Sequence, residues 1–90
     1  MNNFDLGETV ICSVEIRNES GVLVDPTLIT ITISDSGNAK VVDAQVMTKD
    51  GVGKYHWDYI PTVKIGTYII KYVATDGSRF SIQKDNFTVV

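Results

Sequence analysis

The sequence has one cysteine and one histidine in 90 residues. A lone thiol forms no disulfide within the chain, and one thiol with one imidazole completes neither a Cys/His zinc site nor two-histidine chemistry. Basic charge is also sparse. Six Lys and two Arg are scattered along a chain of net charge −3 and pI near 4.8, which leaves no electrostatic footprint for nucleic acid. No apolar run exceeds four residues, as at Val22-Leu23-Val24 and Tyr68-Ile69-Ile70, so nothing matches the roughly 20 apolar residues of a membrane span. The start, Met1 to Glu8, has no basic or apolar stretch, and no Lys or Arg precedes Arg17, which argues against a secretory signal. Unbranched helix formers are few: Leu, Ala and Met number 8 against 31 Val, Ile and Thr. That ratio excludes a helical bundle, because β-branched side chains lose rotamer freedom in helices and pack well on a pleated sheet.

What is present is period-two patterning with turn chemistry between the runs. From Glu8 to Arg17, Val10, Cys12, Val14 and Ile16 alternate with Thr9, Ile11, Ser13 and Glu15, a half-buried strand. Asn18-Glu19-Ser20-Gly21 and Asp25-Pro26 turn the chain twice. From Thr27 to Ser34, Ile29, Ile31 and Ile33 face one way, and Thr30, Thr32 and Ser34 face the other. After the Asp35-Ser36-Gly37-Asn38 turn, Lys40 to Thr48 reads as an edge strand, and Lys49-Asp50-Gly51 as a hairpin turn. In Val52 to Ile60, Tyr55, Trp57 and Tyr59 share the face expected to be buried, opposite Lys54, His56 and Asp58, and Pro61 ends the strand. Gly66 to Thr75 reads as a central strand. In the last run, Arg79 to Val90, Phe80 and Ile82 have one parity and Phe87 and Val89 the other, which predicts a bulge near Lys84-Asp85-Asn86. Strands at this spacing, without repeats or linkers, predict one all-β domain over residues 1–90, an antiparallel sandwich of about seven strands.

Three stretches resemble bacterial and phage immunoglobulin-like modules, whose topology is similar to macroglobulin and fibronectin type III sandwiches. They are Leu6-Gly7-Glu8-Thr9-Val10, the hairpin from Met47 to Tyr55, and Gly66-Thr67-Tyr68 with Asp76-Gly77-Ser78-Arg79. The Gly-Thr-Tyr element looks like the tyrosine corner of such folds, with Tyr68 as its residue. The antibody-type disulfide is missing, because Cys12 has no partner. The resemblance implies an Ig-like fold and structural use: a non-catalytic decoration component of a phage particle, binding a capsid, neck or tail protein. It would be made in the host cytoplasm without a signal peptide and located in the virion. The alternative of another class is an extracellular adhesion or carbohydrate-binding module cut from a larger surface protein.

The residues that tempt a sharper reading each have a plainer one. His56 has no accompanying nucleophile and reads as an exposed structural histidine rather than a general base. Cys12, on the apolar parity of its strand, reads as a buried inert thiol. Asp25, Asp35, Asp50, Asp76 and Asp85 sit at turns, where Asp caps the backbone, and no Asp-x-Asp-x-Asp spacing supplies a calcium loop. No catalytic, cofactor-binding or metal residue is therefore assigned, and the chain is expected not to be an enzyme. The Tyr55, Trp57 and Tyr59 stripe suits sugar stacking but serves core packing better, and the Thr30, Thr32 and Ser34 row either docks a partner or is solvated. The expected partner is a protein, with homo-oligomers open and neither nucleic acid nor membrane involved. It is expected to engage loops or an edge strand, at Lys40 to Thr48 or the short N-terminal segment, where ladder groups are exposed.

Overall fold

The computed structural model describes residues 3–62 and 64–90. Every regular element among them is a strand: β1 (Asn3–Phe4), β2 (Val10–Glu15), β3 (Leu28–Ser34), β4 (Lys40–Val46), β5 (Thr48–Gly51), β6 (Lys54–Tyr59), β7 (Gly66–Asp76) and β8 (Arg79–Val89). They form a five-stranded sheet in the order β1-β8-β7-β3-β4 and a three-stranded sheet in the order β2-β6-β5. The fold is an all-β, immunoglobulin-like sandwich, antiparallel except for the parallel β1·β8 pair. Strands β7 and β3 lie inside the large sheet, so each buries one full face.

The core follows from the alternation. Val10, Cys12, Val14 and Ile16 of the β2 run meet Ile29, Ile31 and Ile33 of β3 and Tyr68, Ile70, Tyr72 and Ala74 of β7. Tyr55 is buried with them, while Trp57 and Tyr59 are partly buried against the same cluster. Tyr68 stacks on Phe87 with ring centroids 5.0 Å apart, and Phe4 meets Phe87 edge-on at 5.9 Å, which closes one end of the core with aromatic rings.

Several local expectations are corrected. The β7·β8 ladder runs without a shift from Gly66↔Val89 to Asp76↔Arg79. The bulge expected near Lys84-Asp85-Asn86 is therefore absent, and Asp85 pairs in register with Ile70. Phe80 and Ile82 differ in parity from Phe87 and Val89 because they lie on the opposite face of a regular strand, turned out to solvent. The β5–β6 turn falls at Val52-Gly53 rather than Lys49-Asp50-Gly51, and Asp50 lies within β5. A close approach explains the shift: Gly53 has φ +68°, and a Cβ there would sit 2.7 Å from the Ile16 carbonyl oxygen, so only glycine fits.

The strand expected over Lys40 to Thr48 is β4, an edge strand as read, but the chain continues into the other sheet as β5. The crossing point is the buried Met47, whose N–H donates to the Ile29 carbonyl at 3.2 Å. Within β4 the register against β3 shifts, Ala44 has φ +49°, and its N–H donates to Thr32 Oγ1 at 3.1 Å. This irregularity makes β4 a poor template for an added strand. The N-terminal segment forms β1, the two-residue edge strand of the large sheet, paired in parallel with β8.

Candidate functional site

The sandwich is closed along one side and open along the other. On the closed side, the β4–β5 run passes from sheet to sheet. On the open side, among the described residues, β2 bonds only β6, and β8 meets β1 only at Thr88 and Val89. The cause is local. After β1, Glu8 N–H donates to the Asp5 carbonyl at 3.0 Å, and Asp5 N–H donates to Glu8 Oε1 at 3.0 Å. Gly7, at φ +87°, donates to the Pro61 carbonyl at 2.7 Å. This tight turn delivers the chain straight into β2, with no strand laid alongside it.

The backbone of β2 has a defined polarity. Ile16 donates to the Gly53 carbonyl at 2.8 Å, and its own carbonyl accepts from Val24 at 3.0 Å. Even-numbered positions therefore spend their ladder groups on the β6 side, and Ile11, Ser13 and Glu15 direct theirs to the open side. The Glu15 carbonyl accepts a long bond from Gln83 Nε2 of β8, at 3.4 Å, across the gap.

Three clefts of about 580, 490 and 190 Å³ run along this gap. Arg17 lines the first two, and Ser13, Tyr72 and Asp85 line the last two, so together they form one furrow. Its base holds Ile70, Tyr72 and Phe87, and its walls carry Glu15 and Arg17 of the β2 side against Asp85 of β8. Asp85 Oδ1 also accepts from the Asn86 N–H at 2.8 Å.

Of the residues singled out in the sequence, Cys12, Asp25, Asp76 and Asp85 line these clefts, and the others fall elsewhere. His56 is half-buried rather than exposed, with Nδ1 2.6 Å from Asp50 Oδ1 and 2.8 Å from Oδ2. An ionised carboxylate only accepts, so Nδ1 carries the hydrogen. Cys12 is buried, and burial, with Asp85 and Asp58 adding repulsion, pushes its thiol up to about 11. Such a thiol is a poor nucleophile. Tyr68 occupies the tyrosine corner: its hydroxyl donates to the Lys64 carbonyl at 2.6 Å. The aromatic stripe points to the core, which removes the sugar platform.

Of the five aspartates expected at turns, Asp50, Asp76 and Asp85 lie within strands. Asp35 caps locally, accepting from the Gly37 and Ala39 N–H groups at 2.9 and 3.0 Å. Asp25 reaches further. It accepts from Lys49 Nζ at 2.8 Å, Gly53 N–H at 2.9 Å and Tyr55 Oη at 3.3 Å. Its carboxyl is held below the usual range, chiefly by the Lys49 hydrogen bond and then by the Gly53 N–H. Neither this network nor the furrow has a signal in hydropathy patterning, because both depend on contacts far apart in sequence. Among the described residues, no group of three or more His, Cys, Asp or Glu is placed to hold a metal ion.

Fold and site together define an immunoglobulin-like sandwich with one unsealed side. No family model matches the chain, and no curated protein matches it. Among solved structures it is similar to CopC from Methylosinus trichosporium OB3b, at a TM-score of 0.64 and 21% identity, over 97% of this chain and 82% of that one. At this identity the likeness is one of fold. It overturns the expectation of a phage structural component: the solved structure sharing this fold comes from Methylosinus trichosporium OB3b and not from a virion. Nothing in this likeness supports the expected virion location. Among the described residues, no helix is long and apolar enough to cross a membrane.

Proposed function

We propose that this chain is a non-catalytic recognition module that binds an extended segment of a partner polypeptide by strand addition to β2. The observation that supports this reading is the outward-directed backbone of Ile11, Ser13 and Glu15 beside a furrow with an apolar base. An extended segment there gains main-chain hydrogen bonds from β2 and lays alternate side chains into the furrow between β2 and β8.

The test is selection of binders from a displayed random-peptide library, followed by amide hydrogen exchange on the complex. Selected peptides should protect the Ile11, Ser13 and Glu15 amides. Ser13→Pro removes one outward N–H without touching the β6 ladder, so it should abolish binding while the melting curve holds. Peptides that bind without protecting these amides, or that bind Ser13→Pro equally well, would sink the reading.

A further inference from the structure

The outer face of the five-stranded sheet carries a second surface, independent of β2. The register places Phe80, Thr75 and Leu28 in one cross-strand row and Ile82, Val73, Thr30 and Val46 in the next. All point away from the core. Phe80 is 71%, Ile82 55% and Val46 62% exposed, so two adjacent rows over four strands present large apolar side chains to solvent. A grouped patch of this kind marks an interaction surface more often than scattered single residues do.

The next row sets its chemistry. Lys71 and Lys84 lie directly opposite each other on β7 and β8, an arrangement that destabilises a sheet unless something neutralises it. Neither ammonium has a carboxylate within salt-bridge distance among the described residues. No outward position of β3, β7 or β8 is Asp or Glu, although the chain carries 11 acidic residues to 8 basic ones. Over these three strands an acidic protein thus presents a face that is apolar and purely cationic.

We infer that this face docks an acidic partner polypeptide, which seats aromatic or aliphatic side chains on Phe80, Ile82 and Val73 and sets carboxylates over Lys71 and Lys84. A second copy of this chain is the wrong occupant by charge, because a face-to-face pair brings cations against cations.

The probe is again a displayed random-peptide library, selected on the full chain and counter-selected on Phe80→Ser/Ile82→Thr. These positions are exposed, so the variant should keep its fold, as a thermal melt checks. The retained peptides should be enriched in Asp and Glu beside aromatic residues. Their binding should weaken at least tenfold on Lys71→Glu/Lys84→Glu, fall with added salt, and be unchanged by Ser13→Pro. Retained peptides without acidic enrichment, or with equal affinity for the charge-reversed variant, overturn the proposal. So does sedimentation showing a dimer that Phe80→Ser/Ile82→Thr dissolves, which would make a second copy the occupant. A library yielding only peptides lost on Ser13→Pro and kept by Phe80→Ser/Ile82→Thr overturns it as well, while leaving strand addition to β2 standing.

Discussion

The Tyr68 hydroxyl donates to the carbonyl of Lys64, four residues upstream, at 2.6 Å, while its ring stacks on Phe87. One side chain thus fixes the entry of the chain into its central strand and fills the end of the core. Tyr68→Phe keeps the ring and removes the bond. It should cost about 1 kcal/mol, lowering Tm by roughly 4 to 8 °C for a domain of this size. A thermal melt checks it, and an unchanged Tm would mean that the corner adds nothing to stability.

Asp25 ties the segment after β2 to the β5–β6 hairpin. Its carboxyl is held below its ordinary value of 3.8 in the folded chain. Its contribution is therefore present above the unfolded value and lost as pH falls through the folded one. Asp25→Asn should lower Tm near neutral pH, and the gap from the unmodified chain should close below about pH 4. A gap that persists at strongly acidic pH would assign the effect to packing rather than to charge.

Gly53 and Gly77 both have positive φ, at +68° and +62°. A Cβ at Gly77 meets nothing within 4 Å, whereas one at Gly53 meets backbone atoms of Ile16 and Val24 at 2.7 and 3.0 Å. Gly77→Ala should cost about 1 kcal/mol of backbone strain, and Gly53→Ala clearly more. Comparison of the two denaturant midpoints measures the difference.

Cys12, with a thiol raised to about 11, should resist alkylation at mildly alkaline pH in the folded chain. Roughly one molecule in 10³ would carry the thiolate near pH 8. The same thiol should react readily in guanidinium chloride, and rapid labelling of the folded chain would contradict the burial.

Much of the fold was legible because period-two alternation reports which face of a strand is buried. Ile29, Ile31 and Ile33 alternate with Thr and Ser, and the structure buries all three. The motif at Gly66-Thr67-Tyr68 likewise pointed to a local bond a few residues back. The parity change in β8 misled, because alternation alone does not say whether an outward apolar residue is a register slip or an exposed patch. Phe80 and Ile82 are the patch.

The sequence by itself determined the inward faces of β2, β3 and β7, with Cys12 on one of them, since alternation is set by local backbone geometry; the tyrosine corner was legible only through the resemblance to immunoglobulin-like modules. Tertiary structure alone decided which edges stay open, where the chain changes sheets at Met47, and that Asp25 reaches Lys49, Gly53 and Tyr55. It also decided that Lys71 and Lys84 stand side by side. These depend on strand order and register, which join positions distant along the chain at a cost in loop closure that no local pattern encodes.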